Sequence, residues 1–306
     1  MDTLSQNTHL LTLKTLLMAT AVAARLFLAP HSASATDVLL VKDADIKPYR
    51  DAIQAFKETC DCSVRELDLS DMGALEQAVK ARPGAIVSVG AQAFRKIKQI
   101  RHVPLIYMMV MPSETADGLG ENVSGVSMDI APAKYLTTMT ELFPGAKRIG
   151  LLFNSENTGR FVREASAAAR EKGISLITKT VRDPRDAPAL LDELRDKVDL
   201  LWMLPDAALM NSETIDHLLL FSFQNSVPVF TFSKKFTEMG ACAALTITPD
   251  GMGKQAGEMV RSLSQGTKGP LRAYASPPHL IVNTKVSVKL GVRINDELVQ
   301  HAEKVE

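Results

Sequence analysis

From residue 37 onward, short runs rich in Val, Ile and Leu alternate with stretches whose apolar positions recur every three or four residues. Strands are predicted over 37–41, 64–69, 85–89 and 103–110, with a shorter one over 123–127. Between them, Ile46, Tyr49, Ile53 and Phe56 keep helical spacing, as do Met72, Leu75 and Val79, and a third helix is predicted over 91–100. Strands that are apolar on both faces and separated by helices call for a parallel sheet covered on each side. This makes one doubly wound lobe.

The cycle restarts after a predicted helix over 131–143, which Pro144-Gly145 terminates and whose buried side would carry Tyr135, Met139, Leu142 and Phe143. Strand 148–153 leads to helix 158–172, which Gly173 would end in a left-handed cap. Strand 175–180, helix 187–197, strand 200–204, helix 212–225 and strand 228–232 follow. A strand over 243–247, a helix over 251–265 with Asp250 as N-cap, a strand over 279–282 and a helix ending at Gly291 complete the chain. Two long loops interrupt the rhythm, 111–122 and 266–278, and the prolines in the second argue for an extended crossing. The expected architecture is α/β, with two doubly wound parallel-sheet lobes joined by several crossings. Lobe 1 would be 36–129 with about 246–275 returning to it, and lobe 2 would be 130–245 with about 276–306. Two lobes without a flexible tether can hinge around a ligand.

The first 35 residues differ in kind. Lys14 precedes an apolar run over 15–24 that resumes after Arg25, and Ala33-Ser34-Ala35 supplies a small-x-small cleavage pattern. This reads as an export signal and places the mature chain in the periplasm. An uncleaved N-terminal anchor is the alternative, because Arg25 interrupts the apolar region. Composition adds little to the fold but removes classes of function. With 46% hydrophobic and 23% charged residues the chain is globular, and Lys plus Arg equals Asp plus Glu at 35 each, so no net field favours nucleic acid or an anionic membrane. Cys60, Cys62 and Cys242 are too few for a disulfide framework. Cys60-x-Cys62 could pair or bind a soft metal, but incidental thiols are the favoured reading.

Ligands of open α/β sheets gather at the carboxyl ends of strands, where helix N-termini present free N–H groups. Five loops are thereby nominated: Gly90-Ala91-Gln92; the turn after strand 103–110, with Met111 and Ser113; Asn154 with Asn157 and Thr158; Pro205-Asp206; and Ser233-Lys234. Amides and helix ends suit a carboxylate, while Asp206 suits an ammonium. Each has a structural alternative, since Asp206 can cap the following loop and Asn154, Asn157 and Thr158 are common turn formers. Enzyme signatures are missing from the sequence: it has no Gly-x-Ser-x-Gly elbow and no phosphate-binding Gly-x-x-x-x-Gly-Lys-Ser/Thr loop. Gly118-Leu-Gly120 and Gly251-Met-Gly253 with Gly257 lack the context or spacing of a dinucleotide fingerprint. The histidines are scattered, so no metal and no cofactor are expected. Asn122-Val-Ser124 matches a glycosylation sequon that chance readily produces.

The segments NVSGVSMD (122–129), PGAKRIGLLFN (144–154), PVFTF (228–232), GACAALTI (240–247), MGKQAGEM (252–259) and LIVNTKVSVKLGVRI (280–294) together resemble the ABC-transporter substrate-binding family, whose characterised members include aromatic amino acid binders. The resemblance implies a type I periplasmic-binding-protein fold and a non-catalytic, monomeric carrier. It would deliver a small solute, an amino acid or another small polar or anionic molecule, to an ABC permease and its ATPase. A sensory subunit that reports occupancy to a membrane signalling protein is the alternative, and an exported α/β enzyme comes last. The cleft motifs depart from the family pattern. Of the Thr-Asp preceding a second-lobe helix only Asp206 carries over, and Phe232-Ser233-Lys234 replaces an acidic loop, which would favour an anionic ligand.

Overall fold

The computed structural model describes residues 36–111, 115 and 118–305. The leader expected over 1–35, and Ser113, lie outside the described residues. The first half of the chain runs β1 (Thr36–Lys42), α1 (Lys47–Cys60), β2 (Cys62–Asp68), α2 (Met72–Lys80), β3 (Ala85–Val89), α3 (Ala91–Ile97), β4 (Leu105–Val110) and β5 (Val123–Ser127). It continues through α4 (Pro132–Leu142), β6 (Arg148–Phe153), α5 (Gly159–Glu171), β7 (Ser175–Thr180), α6 (Ala187–Asp192), β8 (Leu200–Trp202), α7 (Ser212–Asn225), β9 (Val229–Thr231), α8 (Lys234–Met239) and β10 (Ala243–Thr246). Last come α9 (Pro249–Ser264), β11 (Arg272–Tyr274), β12 (His279–Asn283), α10 (Thr284–Leu290), α11 (Asp296–Gln300) and β13 (Glu303–Val305).

These strands form two sheets, in the orders β11-β5-β4-β3-β1-β2 and β13-β12-β10-β9-β8-β6-β7. Every pairing is parallel except β10 with β12. Ignoring the strands added late in the chain, β2-β1-β3-β4-β5 and β7-β6-β8-β9-β10 have the same 2-1-3-4-5 order. Both lobes are therefore doubly wound in one way, and in both the order reverses between their first and third strands.

Alternation along single strands explains the layers. In β1, Val38 and Leu40 enter one core with α1 and α9, whereas Leu39 and Val41 enter another with α2 and α3. In β6, Ile149 and Leu151 face α4 and α5 while Leu152 faces α6 and α7. All four β1 side chains are fully buried, each worth about 1.5–3 kcal/mol of burial. Gly253 and Gly257 let α9 lie close on α1: a Cβ at Gly253 would stand 2.0 Å from the Ala52 carbonyl oxygen, and one at Gly257 would stand 2.9 Å from the Thr59 Cβ. The glycines that fail as a nucleotide fingerprint are thus a helix-crossing device.

Several local expectations hold. Gly173 takes the expected left-handed conformation after α5, with φ of 68°, and α10 ends at Gly291, which is also left-handed at φ of 66°. Others change. Thr248, not Asp250, caps α9, its Oγ1 accepting the Gly251 N–H at 3.1 Å. Asp250 sits in the first turn, where its charge suits the helix dipole. The supposed crossing over 266–278 contains β11, which adds a parallel strand to the first sheet beside β5. Cys60 and Cys62 are joined as a disulfide, so they are not incidental thiols. Asn122 donates its side-chain amide to the carbonyls of Ile100 and Val103, which gives the sequon asparagine a structural role.

The chain passes between the sheets after β5, after β10 and after β11. The first and last passages are tied together by the Ala275 N–H, which donates to the Asp129 carbonyl at 2.9 Å. On the middle passage, Ile247 packs against the cores of both lobes.

Candidate functional site

The reversal of strand order opens a crevice at the carboxyl edge of each sheet, between β1 and β3 in lobe 1 and between β6 and β8 in lobe 2. An aspartate bridges each crevice. In lobe 1, Asp43 follows β1, and its Oδ2 accepts the N–H groups of Gln92 at 2.7 Å and Ala93 at 3.3 Å, at the start of α3. Burial, together with the charge and hydrogen bond of Asp43, raises the pKa of the Tyr49 hydroxyl beside it. Gly90 makes this possible: its φ is 97°, and a Cβ there would lie 2.4 Å from Asp43 Oδ1. Sequence reading nominated Gly90, Ala91 and Gln92 as a carboxylate seat, and the protein's own carboxylate fills it. The one hint was position, since Asp43 directly follows the carboxyl end of the first strand.

In lobe 2, Asp206 follows β8 and is fully buried. Its Oδ2 accepts the Asn154 backbone N–H at 2.7 Å and the Thr158 hydroxyl at 2.5 Å. Its Oδ1 accepts the Asn157 side-chain amide at 2.9 Å and the Ala208 N–H at 3.1 Å. A carboxylate offers about four acceptor positions, so all are in use. Asn154 is engaged as well, donating Nδ2 to the Val181 carbonyl at 3.0 Å and accepting the Glu156 N–H at 2.9 Å. The structure thus unites Asn154, Asn157, Thr158 and Asp206 in one knot, in which Asp206 anchors the loop that opens α5. As an ammonium acceptor it has no oxygen to spare.

The remaining nominated residues sit on the rims. The backbone before Met111 is irregular: pairing of β4 with β5 shifts register between Tyr107 and Val110, and Met109 adopts φ of 58°. A bulge combined with a left-handed non-glycine residue re-aims the side chains that follow. Met111 emerges 49% exposed. Across lobe 2, Ser233 occupies the N-cap position of α8 without a side-chain capping bond. Lys234 pairs with Glu303 Oε1 at 2.7 Å, and Glu303 Oε2 lies 2.9 Å from His279 Nε2. Sequence reading missed this C-terminal partner, because β13 is a three-residue strand with no periodic signal. The pair holds the Glu303 carboxyl below its ordinary range, with the Lys234 hydrogen bond as the main cause. Among the described residues, no group of three or more His, Cys, Asp and Glu is placed to hold a metal ion.

Twin open sheets with matched carboxyl edges and three connecting passages define a two-lobed α/β binding-protein fold of the type I periplasmic class. The chain belongs to the ABC transporter substrate binding protein family, whose model matches residues 68–306. Among curated proteins it is similar to a tyrosine-binding protein of Clostridioides difficile (strain R20291), with 24% identity over 149 residues. That match spans 48% of this chain and 43% of the relative, less than half of either. Among solved structures, the ligand-free, open form of a substrate binding protein with adhesive properties from Clostridium difficile superposes with a TM-score of 0.68 at 17% identity, covering 89% of this chain and 99% of that one. An ABC domain from Streptococcus pneumonia in complex with L-Trp gives 0.53 at 18% identity, covering 89% and 100%. At these identities the likeness establishes the fold. Family and fold together support a solute-binding role.

Proposed function

We propose that the chain is the exported, non-catalytic component of an ABC importer, which captures a small solute between its lobes in the periplasm and hands it to a permease and its ATPase. The observation that carries the reading is the pair of switch-point edges on two sheets of identical strand order, linked by short passages rather than by a flexible tether. Such lobes close on a guest at little internal cost, because the cores stay intact while a few backbone angles in the passages change. The protein works as a monomer.

The solute would meet Met111 and the side chain of Gln92, beside the Gly90-Ala91 turn that Asp43 already occupies, on one side and Asn154, Asn157, Thr158, Ser233 and Lys234 on the other, with Ser113 as a further contact nominated from sequence alone. Asp206 belongs to this set as the residue that fixes the loop. The tyrosine-binding relative and the L-Trp complex make amino acids the natural first candidates. The occupied oxygens of Asp206 instead favour a solute with no α-ammonium group, polar or anionic. Native mass spectrometry of protein purified without denaturation tests this directly. A co-purified small molecule, released on unfolding and producing compaction in small-angle scattering when added back, is the expected result. A broad metabolite set that yields neither retention nor compaction would overturn the carrier reading.

A further inference from the structure

One cluster of charged side chains stands apart from both crevices, at the carboxyl edge of the second sheet. Lys234 lies just past the end of β9, and His279 opens β12, where it pairs with Thr246 at the end of β10 and directly follows the third passage. Glu303, on the last strand, reaches both. Its Oε1 lies 2.7 Å from Lys234 Nζ and its Oε2 lies 2.9 Å from His279 Nε2. Two donors from separate elements therefore divide the oxygens of one carboxylate between them. Thr246 steadies the histidine, donating its hydroxyl to the His279 carbonyl at 3.4 Å. Glu238, one turn along α8, stays 3.9 Å from Lys234 Nζ, beyond hydrogen-bond length, so Glu303 alone fills the seat.

We infer that Lys234 and His279 form a subsite for the carboxylate of a solute, and that Glu303 is a tethered stand-in which the solute's carboxylate displaces. The bound glutamate displays the chemistry the seat accepts: a two-oxygen anion with one N–H donor on each oxygen. His279 serves in either charge state, because a neutral imidazole carrying its proton on Nε2 still donates.

The stand-in is easily turned out. The three side chains are 36–50% exposed, so water screens the pair, and exposed pairs of this kind favour the closed over the open form by only about 1.4- to 5-fold. Turning Glu303 outward leaves its strand in place, since β13 is anchored by Val305, packed with Ala244 and Ile281. Asp43 in lobe 1 is the contrast, because it fills a seat of backbone N–H groups that the fold itself builds. The inference rests on the carrier reading for its purpose. It adds a class of solute, one bearing a carboxylate, and two residues that select it, His279 and Glu303.

The test is acetate titration of the full chain, read by NMR at the His279 ring, whose signal is assigned by its loss in His279→Gln. Acetate is the bare carboxylate, so no cognate solute is needed. Glu303→Gln is expected to bind acetate about 2- to 6-fold more tightly than wild type, because the tethered competitor no longer holds the seat closed. Adding Lys234→Met should abolish that gain. The His217 ring, bonded to its own Glu213 carbonyl on α7, should not respond. Glu303→Ala serves if the glutamine amide itself keeps the seat filled. Equal acetate affinity in wild type and both Glu303 variants, or a gain that survives Lys234→Met, would mean an adventitious ion only and would overturn the seat. A metabolite set that yields no retained solute while the acetate gain persists would sink the carrier reading and leave the seat standing.

Discussion

Asn157 donates its side-chain amide to Oδ1 of Asp206 at 2.9 Å, across 49 positions of sequence. With the other three donors, this turns Asp206 into the fixed point of the loop that opens α5 in lobe 2. Asp206→Ala would leave those donors without an acceptor in a fully buried place, at a cost of at least about 3 kcal/mol. A clear fall in the Tm of the empty protein is expected, with faster amide exchange over 154–158. The sequence alone supports the opposite outcome, lost binding with Tm nearly unchanged, and an unaltered melt would restore that contact role.

Gly90 and Asp43 make a matched pair in lobe 1. Gly90→Ala places a methyl within 2.4 Å of Asp43 Oδ1 at φ of 97°, so the aspartate must leave the α3 amides. A loss of about 1–3 kcal/mol in a denaturant melt is expected. Gly145→Ala is the control, because nothing lies within 4 Å of a Cβ there. It should be neutral or slightly stabilising.

At the α9–α1 crossing, Gly253→Ala drives a methyl into the Ala52 carbonyl, 2.0 Å away. Backbone cannot yield as a side-chain tip can, so the helices must separate. The expected penalty is about 1–3 kcal/mol or more, read as a lower midpoint in urea.

Asp129 gives a pH signature in stability. Its folded pKa of about 7 exceeds the ordinary 3.8, so between those values the native state holds a proton that the unfolded chain has released. Stability from this group is therefore full at low pH and declines as pH rises through 7. Asp129→Asn should be more stable than wild type at pH 8 by about 4 kcal/mol, with the advantage shrinking toward pH 4. Parallel stability curves for the two proteins would refute the assignment.

Cys242 is buried, and burial pushes its thiol up to about 12. With Cys60 and Cys62 paired, a thiol reagent should find no reactive group in the native protein. One group should appear after denaturation and three after reduction, matching the three cysteines of the sequence. Three reactive thiols in the denatured, unreduced protein would show that Cys60 and Cys62 are free.

Much of the scaffold is legible in the sequence because it rests on local periodicity. The fully buried run Ala85–Val89 and the helix carrying Tyr49, Ile53 and Phe56 declare themselves through spacing alone. Gly173 announces a left-handed cap because few other residues tolerate that backbone, and Gly291 marks a helix end. Short elements are harder to see. β11 has three residues between prolines and earns its place by pairing with β5, from about 150 positions away in sequence. The site hides for a related reason. Asp43 meets Gln92 and Asp206 meets Thr158 only after the strands between them have taken their places, and no local pattern distinguishes an aspartate facing a solute from one facing its own loop.

Ile247 carries a last consequence. Because its side chain lodges against the interiors of both halves, it rivets one to the other. Melting either interior strips a neighbour from the other. Partial denaturation is thereby discouraged, so heat should dissolve the halves together instead of in sequence.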